Sequence, residues 1–218
     1  MKPALPVALL AATLATACGS KSDANEENFG AAVSQYLDKH GALCLTMLQW
    51  PTDIPVDQIE LSRIMKRDSP TKSMDALVAA GVVSVSDATV DQLRYDGKPN
   101  GRTYKVKRYV VSEAGRKYYR ERPTSAVGGS PVQKAGDLCF GKTALDKVVR
   151  WDLPTKLGDH QEVGVTYTYK INDLAEWAMN SAVQASYPGL QDIIANAGKL
   201  QKTHGLSLTN QGWVANGL

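Results

Sequence analysis

The chain has 218 residues, of which 43% are apolar and 22% charged, with a formal net charge of +3. These shares are those of a globular body with its own core, and the balance is too even to mark the whole chain as a polyanion binder. Three cysteines and three histidines, all scattered, have none of the spacings of a zinc site, so no metal ligands and no cofactor are expected.

Residues 1–18 come first. Lys2 is followed by an uncharged run from Pro3 to Ala15 and then by Ala15-Thr16-Ala17-Cys18. As a helix the run would be roughly 20 Å long, short of a hydrocarbon core of about 30 Å. Residues 1–17 therefore read as a cleaved secretory signal and are excluded from the fold. The stretch resembles the signal peptides of bacterial lipoproteins, in which the cysteine is lipidated and becomes the new N-terminus. Ala15 stands where that family usually has Leu. Because Ala15-Thr16-Ala17 also has the small-x-small form, ordinary cleavage after Ala17 is the alternative, with an unremarkable apolar N-terminus as the third. The resemblance implies lipidation at Cys18, with membrane attachment through the lipid. Ser20, where an Asp would signal retention, implies an outer-membrane lipoprotein facing the periplasm. Residues 18–28 are polar and without apolar periodicity, and read as a tether.

Loss of Lys2 leaves +2 on the mature chain, unevenly spread. With Cys18 lipidated, Cys44 and Cys139 remain, and in an oxidising compartment an even pair predicts a disulfide. Buried free thiols are the alternative.

Phe29, Ala32, Val33, Tyr36 and Leu37 recur at helical spacing, and Gly41 supplies a stop. Ala42 to Leu48 is a buried strand or a helical turn. Trp50-Pro51 and Ile54-Pro55 break what precedes them, and a helix over Val56 to Lys66 would turn Ile59, Ile64 and Met65 inward. Ser69-Pro70 reads as a cap and first turn for a helix carrying Met74, Leu77 and Val78 and ending at Gly81. Strands follow at Val82 to Val85 and Thr103 to Val111 around a turn within Gly97 to Gly101, and Ser112 to Gly115 opens a short helix with Tyr118 and Tyr119.

Met74 to Val83 and Tyr109 to Tyr119, with that order of elements, resemble the third helix, wing and following helix of winged-helix domains. In that family the helix reads a DNA groove. Here the helix has only Lys72 and Asp75, and the implied compartment holds no nucleic acid partner. Residues 94–122 carry ten basic residues against three acidic ones, a local +7. Arg94, Arg102, Lys105, Lys107, Arg108, Arg116 and Lys117 form a candidate surface for an anionic partner, either an envelope protein or an anionic polymer. A solvated strand face is the plainer account of such a run.

Residues 123–134 are rich in Pro, Gly and Ser and read as a linker. Beyond it, Leu145, Val148, Val149 and Trp151 lead through a turn near Gly158 to Val163–Ile171, which alternates apolar and polar residues. That is a half-buried strand, antiparallel to Lys147–Trp151. Asn172 or Asp173 caps a helix over Leu174 to Ala178, Pro188 opens another that Gly198 closes, and Leu206 and Leu208 lie on a last strand before the turn Thr209 to Gly212. The sequence thus predicts an α+β protein of two small subdomains, winged-helix-like over 29–122 and a small antiparallel sheet with helices on one face over 135–218. Matching Gly-x-Leu-Cys segments at 41–44 and 136–139 raise a duplication.

No nucleophile elbow, phosphate loop or metalloprotease pair occurs, so no catalytic residue is assigned. The expected role is a non-catalytic, membrane-anchored interaction module. Two alternatives remain: an envelope enzyme using an acid/base site near His160, within Asp159 to Glu162, and a carrier with a small apolar cavity behind Val163–Ile171.

Overall fold

A computed structural model describes residues 20–47, 49–122 and 135–218. The expected signal sequence 1–17, Cys18 and the expected linker 123–134 lie outside the described residues. The protein is α+β and mostly antiparallel, and among the described residues no helix is long and apolar enough to cross a membrane.

Helix α1 (Glu26–His40) starts where the Asn25 side chain accepts the Asn28 amide at 2.9 Å, with Glu26 and Glu27 at its positive end and Lys39 and His40 at its negative end. It ends at Gly41, where a Cβ would run into the carbonyl oxygens of Leu37 and Thr143. Only glycine lets the chain turn there into strand β1 (Ala42–Met47).

Next come β2 (Thr52–Pro55), α2 (Val56–Ile64), α3 (Lys72–Ala79), β3 (Val83–Leu93) and β4 (Pro99–Val111). The three strands make a small sheet in the order β2-β4-β3. Gly81, at φ +78°, reverses α3 as a left-handed C-cap, and Val82 N–H returns to the Leu77 carbonyl at 3.1 Å. Two expectations fail here. Helix α2 buries no residue, and Ile64 is 73% exposed, because the helix touches chiefly β2 and β4 and has no layer on its outer side among the described residues. Ser69-Pro70 forms a turn before α3 rather than its cap, with Lys72 N–H bonded to the Ser69 carbonyl.

After a 3-10 turn over Arg116–Tyr118, where a helix was expected, β5 (Tyr119–Arg122) pairs with β6 (Ala135–Trp151). Then follow β7 (Thr155–Leu157), β8 (His160–Asn172), α4 (Ser181–Ser186), α5 (Pro188–Ala195), β9 (Gln201–Thr209) and β10 (Gly212–Ala215). The predicted pairing of Lys147–Trp151 with β8 is present, Lys147 opposite Thr168 and Trp151 opposite Val165. The helix expected over Leu174–Ala178 is a 3-10 turn at Glu176–Met179, and the helical cap is Asn180, whose side chain accepts from Ala182 and Val183.

The large sheet runs β1-β6-β8-β9-β10, in chain order, with β5 beside β6 and β7 beside β8. It is a meander interrupted between β1 and β6 by the smaller sheet and its helices. The expected partition into 29–122 and 135–218 is therefore not the one the sheets make, because β1 and β5 belong to the same sheet as β6–β10. Among the described residues the elements that follow the two Gly-x-Leu-Cys segments also differ, so they do not form a repeated unit there.

Two cores hold the layers together. Phe29, Ala32, Val33 and Leu37 of α1 pack on Val163, Val165, Tyr167, Leu206 and Trp213. Two bulges in β6, at Leu145/Lys147 and Val148/Arg150, bend that strand alongside α1. At the Ala135 end of β6, Leu138 and Phe140 join Leu77, Val83 and Tyr109 of the inserted part to Trp177, Val183 and Leu190. Burying side chains of this size contributes about 1.5–3 kcal/mol each, so the second core fastens the insertion to the meander.

Candidate functional site

β2 reaches only Val106 to Tyr109 of β4. Beyond Lys105 the β3–β4 ribbon has no third strand among the described residues and continues for about 23 Å at 3.3 Å per residue. Asp91 to Lys105 are all exposed. The ribbon closes through a turn in which Arg94 N–H bonds the Lys98 carbonyl at 2.7 Å and Gly97 takes φ +76°. An isolated two-stranded ribbon is marginal in water. This one is held at its base.

Tyr109 is buried in β4 and donates its hydroxyl to Asp75 of α3 at 2.8 Å. Burial, and then the Asp75 carboxylate, hold that phenol well above its ordinary range. Tyr187 donates to the Ser73 carbonyl at 3.3 Å, and burial pushes it up to about 12. One tyrosine from the ribbon and one from between α4 and α5 thus grip the same helix. On the other side of the base, Arg108 pairs bidentately with Asp53 of β2, at 2.8 and 2.7 Å. These bonds hold the Arg108 guanidinium above its usual value.

The seven predicted basic residues divide accordingly. Arg94, Arg102, Lys105, Lys107 and Arg108 come together on the ribbon, whereas Arg116 and Lys117 sit on the 3-10 turn leading to β5. Arg108 is structural, and Lys107 spans the ribbon to Asp87 at 2.8 Å. Arg94 lies 4.0 Å from Asp96, Arg116 lies 3.6 Å from Glu113, and Lys117 lies over the Tyr118 ring. Lys98, Arg102 and Lys105 have no carboxylate within salt-bridge distance among the described residues. Around these three the ribbon exposes Tyr95 completely, Leu93 by 57% and Tyr104 by 40%.

An open groove of about 1410 Å³ runs beside the ribbon, lined in part by Trp50, Asp53, Gln58, Arg102, Tyr104 and Arg108. Trp50 is fixed by donating its indole N–H to the Gly136 carbonyl at 3.1 Å. The sequence pointed to the cations of this site but not to Trp50, Asp53 or Tyr104. The signal lay in Trp50-Pro51-Thr52-Asp53, which reads only as a break in secondary structure.

Cys44 and Cys139 form the predicted disulfide, as direct partners of β1 and β6. His160 is exposed beside the β7–β8 turn, opposite Leu157. Among the described residues no group of three His, Cys, Asp or Glu side chains could hold a metal ion. The space behind Val163, Val165 and Tyr167 is filled by Phe29 and Val33 of α1. Comparison with protein-family models, with curated proteins and with solved structures found no match to this chain.

Proposed function

We propose that this chain is a lipid-anchored envelope protein that acts without catalysis, using the β3–β4 ribbon to hold an anionic partner. The observation that carries the reading is the set Lys98, Arg102 and Lys105, without carboxylate partners among the described residues, on a ribbon whose base is locked by Tyr109–Asp75 and Arg108–Asp53. Cations already paired have spent their attraction internally; these have not. Exposed Tyr and Arg beside one another are also the residue types that dominate binding hot spots.

The winged-helix resemblance is kept as architecture. The order β2, α2, α3, β3, β4, with β4 central, supports it. Use of α3 as a DNA-reading helix is not supported, because Asp75 accepts Tyr109 and Lys72 lies 3.4 Å from Asp68. The lipid at Cys18 and the outer-membrane, periplasm-facing address rest on the sequence of residues 1–20.

The test reverses Lys98, Arg102 and Lys105 to Glu together and measures retention on immobilised heparin, a generic polyanion, beside thermal unfolding. Retention is expected to vanish while the midpoint of unfolding holds. Unchanged retention overturns the reading.

A further inference from the structure

From Ser20 on, the segment 18–28 expected as a free tether is docked. Asp23 N–H bonds the Ser20 carbonyl at 2.9 Å, the Asn28 amide donates to the carbonyls of Ser20 and Asp23, and Trp213 donates its indole N–H to the Ser22 carbonyl at 3.1 Å. The Lys21 backbone passes so close to Gly212, at φ +109°, that a Cβ there would lie 2.9 Å from the Lys21 oxygen. The described residues from Ser20 on are therefore held against the turn between β9 and β10. Only Gly19 separates Ser20 from Cys18. Two residues of extended chain reach about 7 Å at most.

The strand register sets the other end. Ser207, beside that turn, is opposite Glu162 of β8, and the far end of β8, Asn172, is opposite Lys142 of β6. Glu162 to Asn172 is about 33 Å of strand at 3.3 Å per residue. β6 then runs on to Ala135, flanked by β1 and β5, the two strands through which the insertion leaves and rejoins the sheet. The insertion that carries the ribbon and the docked residues from Ser20 on thus join the long strands at opposite ends.

We infer that the end of the fold bearing Lys21 and the turn Thr209 to Gly212 is the face that lies on the bilayer, and that the ribbon points away from the membrane carrying it. This rests on lipidation of Cys18. The leash of one glycine keeps the Ser20 end of the body within about 7 Å of the anchored cysteine. Lys21 stands there among Asp23, Glu26 and Glu27, so the lipid and not charge holds the contact. The anionic partner of the ribbon is accordingly not the headgroups of that same membrane.

The test uses the membrane-extracted protein, reconstituted in vesicles whose outer headgroups carry a fluorescent acceptor. A donor is attached at Asn210→Cys or at Tyr95→Cys, both exposed positions. Transfer is expected to be several-fold stronger from position 210, and flotation with the vesicles is expected to survive high salt. Equal transfer, stronger transfer from position 95, or release by salt overturns the inference. A flexible Gly/Ser spacer of about twenty residues after Gly19 is expected to lower transfer from position 210; unchanged transfer overturns the short leash. Intact mass is measured first: absence of lipid on Cys18 overturns the anchor and the orientation together, whereas lipid present with reversed transfer overturns the orientation alone.

Discussion

Cys44 and Cys139 face each other directly across β1 and β6, with their Cα atoms 3.8 Å apart, and so close a loop of 95 residues that holds the whole inserted sheet. Loop-closure entropy for a loop of that length is worth about 4–5 kcal/mol. The double variant Cys44→Ala, Cys139→Ala is expected to lose stability on that scale. Urea unfolding with and without reductant checks it, since reductant should destabilise the native protein and leave the variant unchanged.

Trp213→Phe keeps an aromatic ring against Phe29 but removes the donor to Ser22. The loss is expected to be about 1 kcal/mol, the net worth of one hydrogen bond. The more telling readout is proteolysis after Lys21, which should accelerate in the variant. An unchanged cleavage rate would mean that the indole bond does not hold residues 20–25 down.

The tyrosine clamp on α3 makes stability depend on alkaline pH. In the unfolded chain both phenols ionise near pH 10. In the fold Tyr187 holds its proton to about 12 and Tyr109 is held above the ordinary value as well. Above pH 10 the unfolded state therefore binds fewer protons than the fold, and stability falls as pH rises from about 10 toward 12. Tyr109→Phe is expected to cost about 1 kcal/mol at neutral pH through the lost bond to Asp75. It should also flatten the alkaline fall, read as unfolding midpoints at pH 8 to 11.

What could be read from the sequence was what is local. α1 announced itself by the spacing of Phe29, Val33 and Leu37 and by Gly41, and β8 by its alternation and by the turn at Gly158. The pairing of β6 with β8 followed because only a short connection separates them. The single meander was hidden because Cys44 and Cys139 are 95 residues apart and no local pattern says that two such strands are neighbours. The sequence could place Ile59 and Ile64 in a helix, but not say whether anything packs against them. In the candidate site the cations were visible as composition. Which of them are paired depends on Asp53 and Asp87, set beside Arg108 and Lys107 only by strand register.

That pairing changes which residues a charge-reversal experiment should touch. Arg108→Glu would set a second carboxylate beside Asp53 and lower the unfolding midpoint, so lost binding in that variant would not report on the surface. Lys107→Glu would likewise face Asp87 across the ribbon. Lys105→Glu disturbs no ion pair among the described residues. Binding to a polyanion releases counterions in proportion to the cations engaged, so the logarithm of affinity falls linearly with the logarithm of salt concentration. Lys98→Gln, Arg102→Gln and Lys105→Gln are each expected to reduce that slope by about one, with the unfolding midpoint unchanged. Heparin affinity titrated over a range of salt gives the slope. If the three variants keep the wild-type slope while Arg116→Gln and Lys117→Gln lower it, the contact lies on the 3-10 turn before β5 and not on the ribbon.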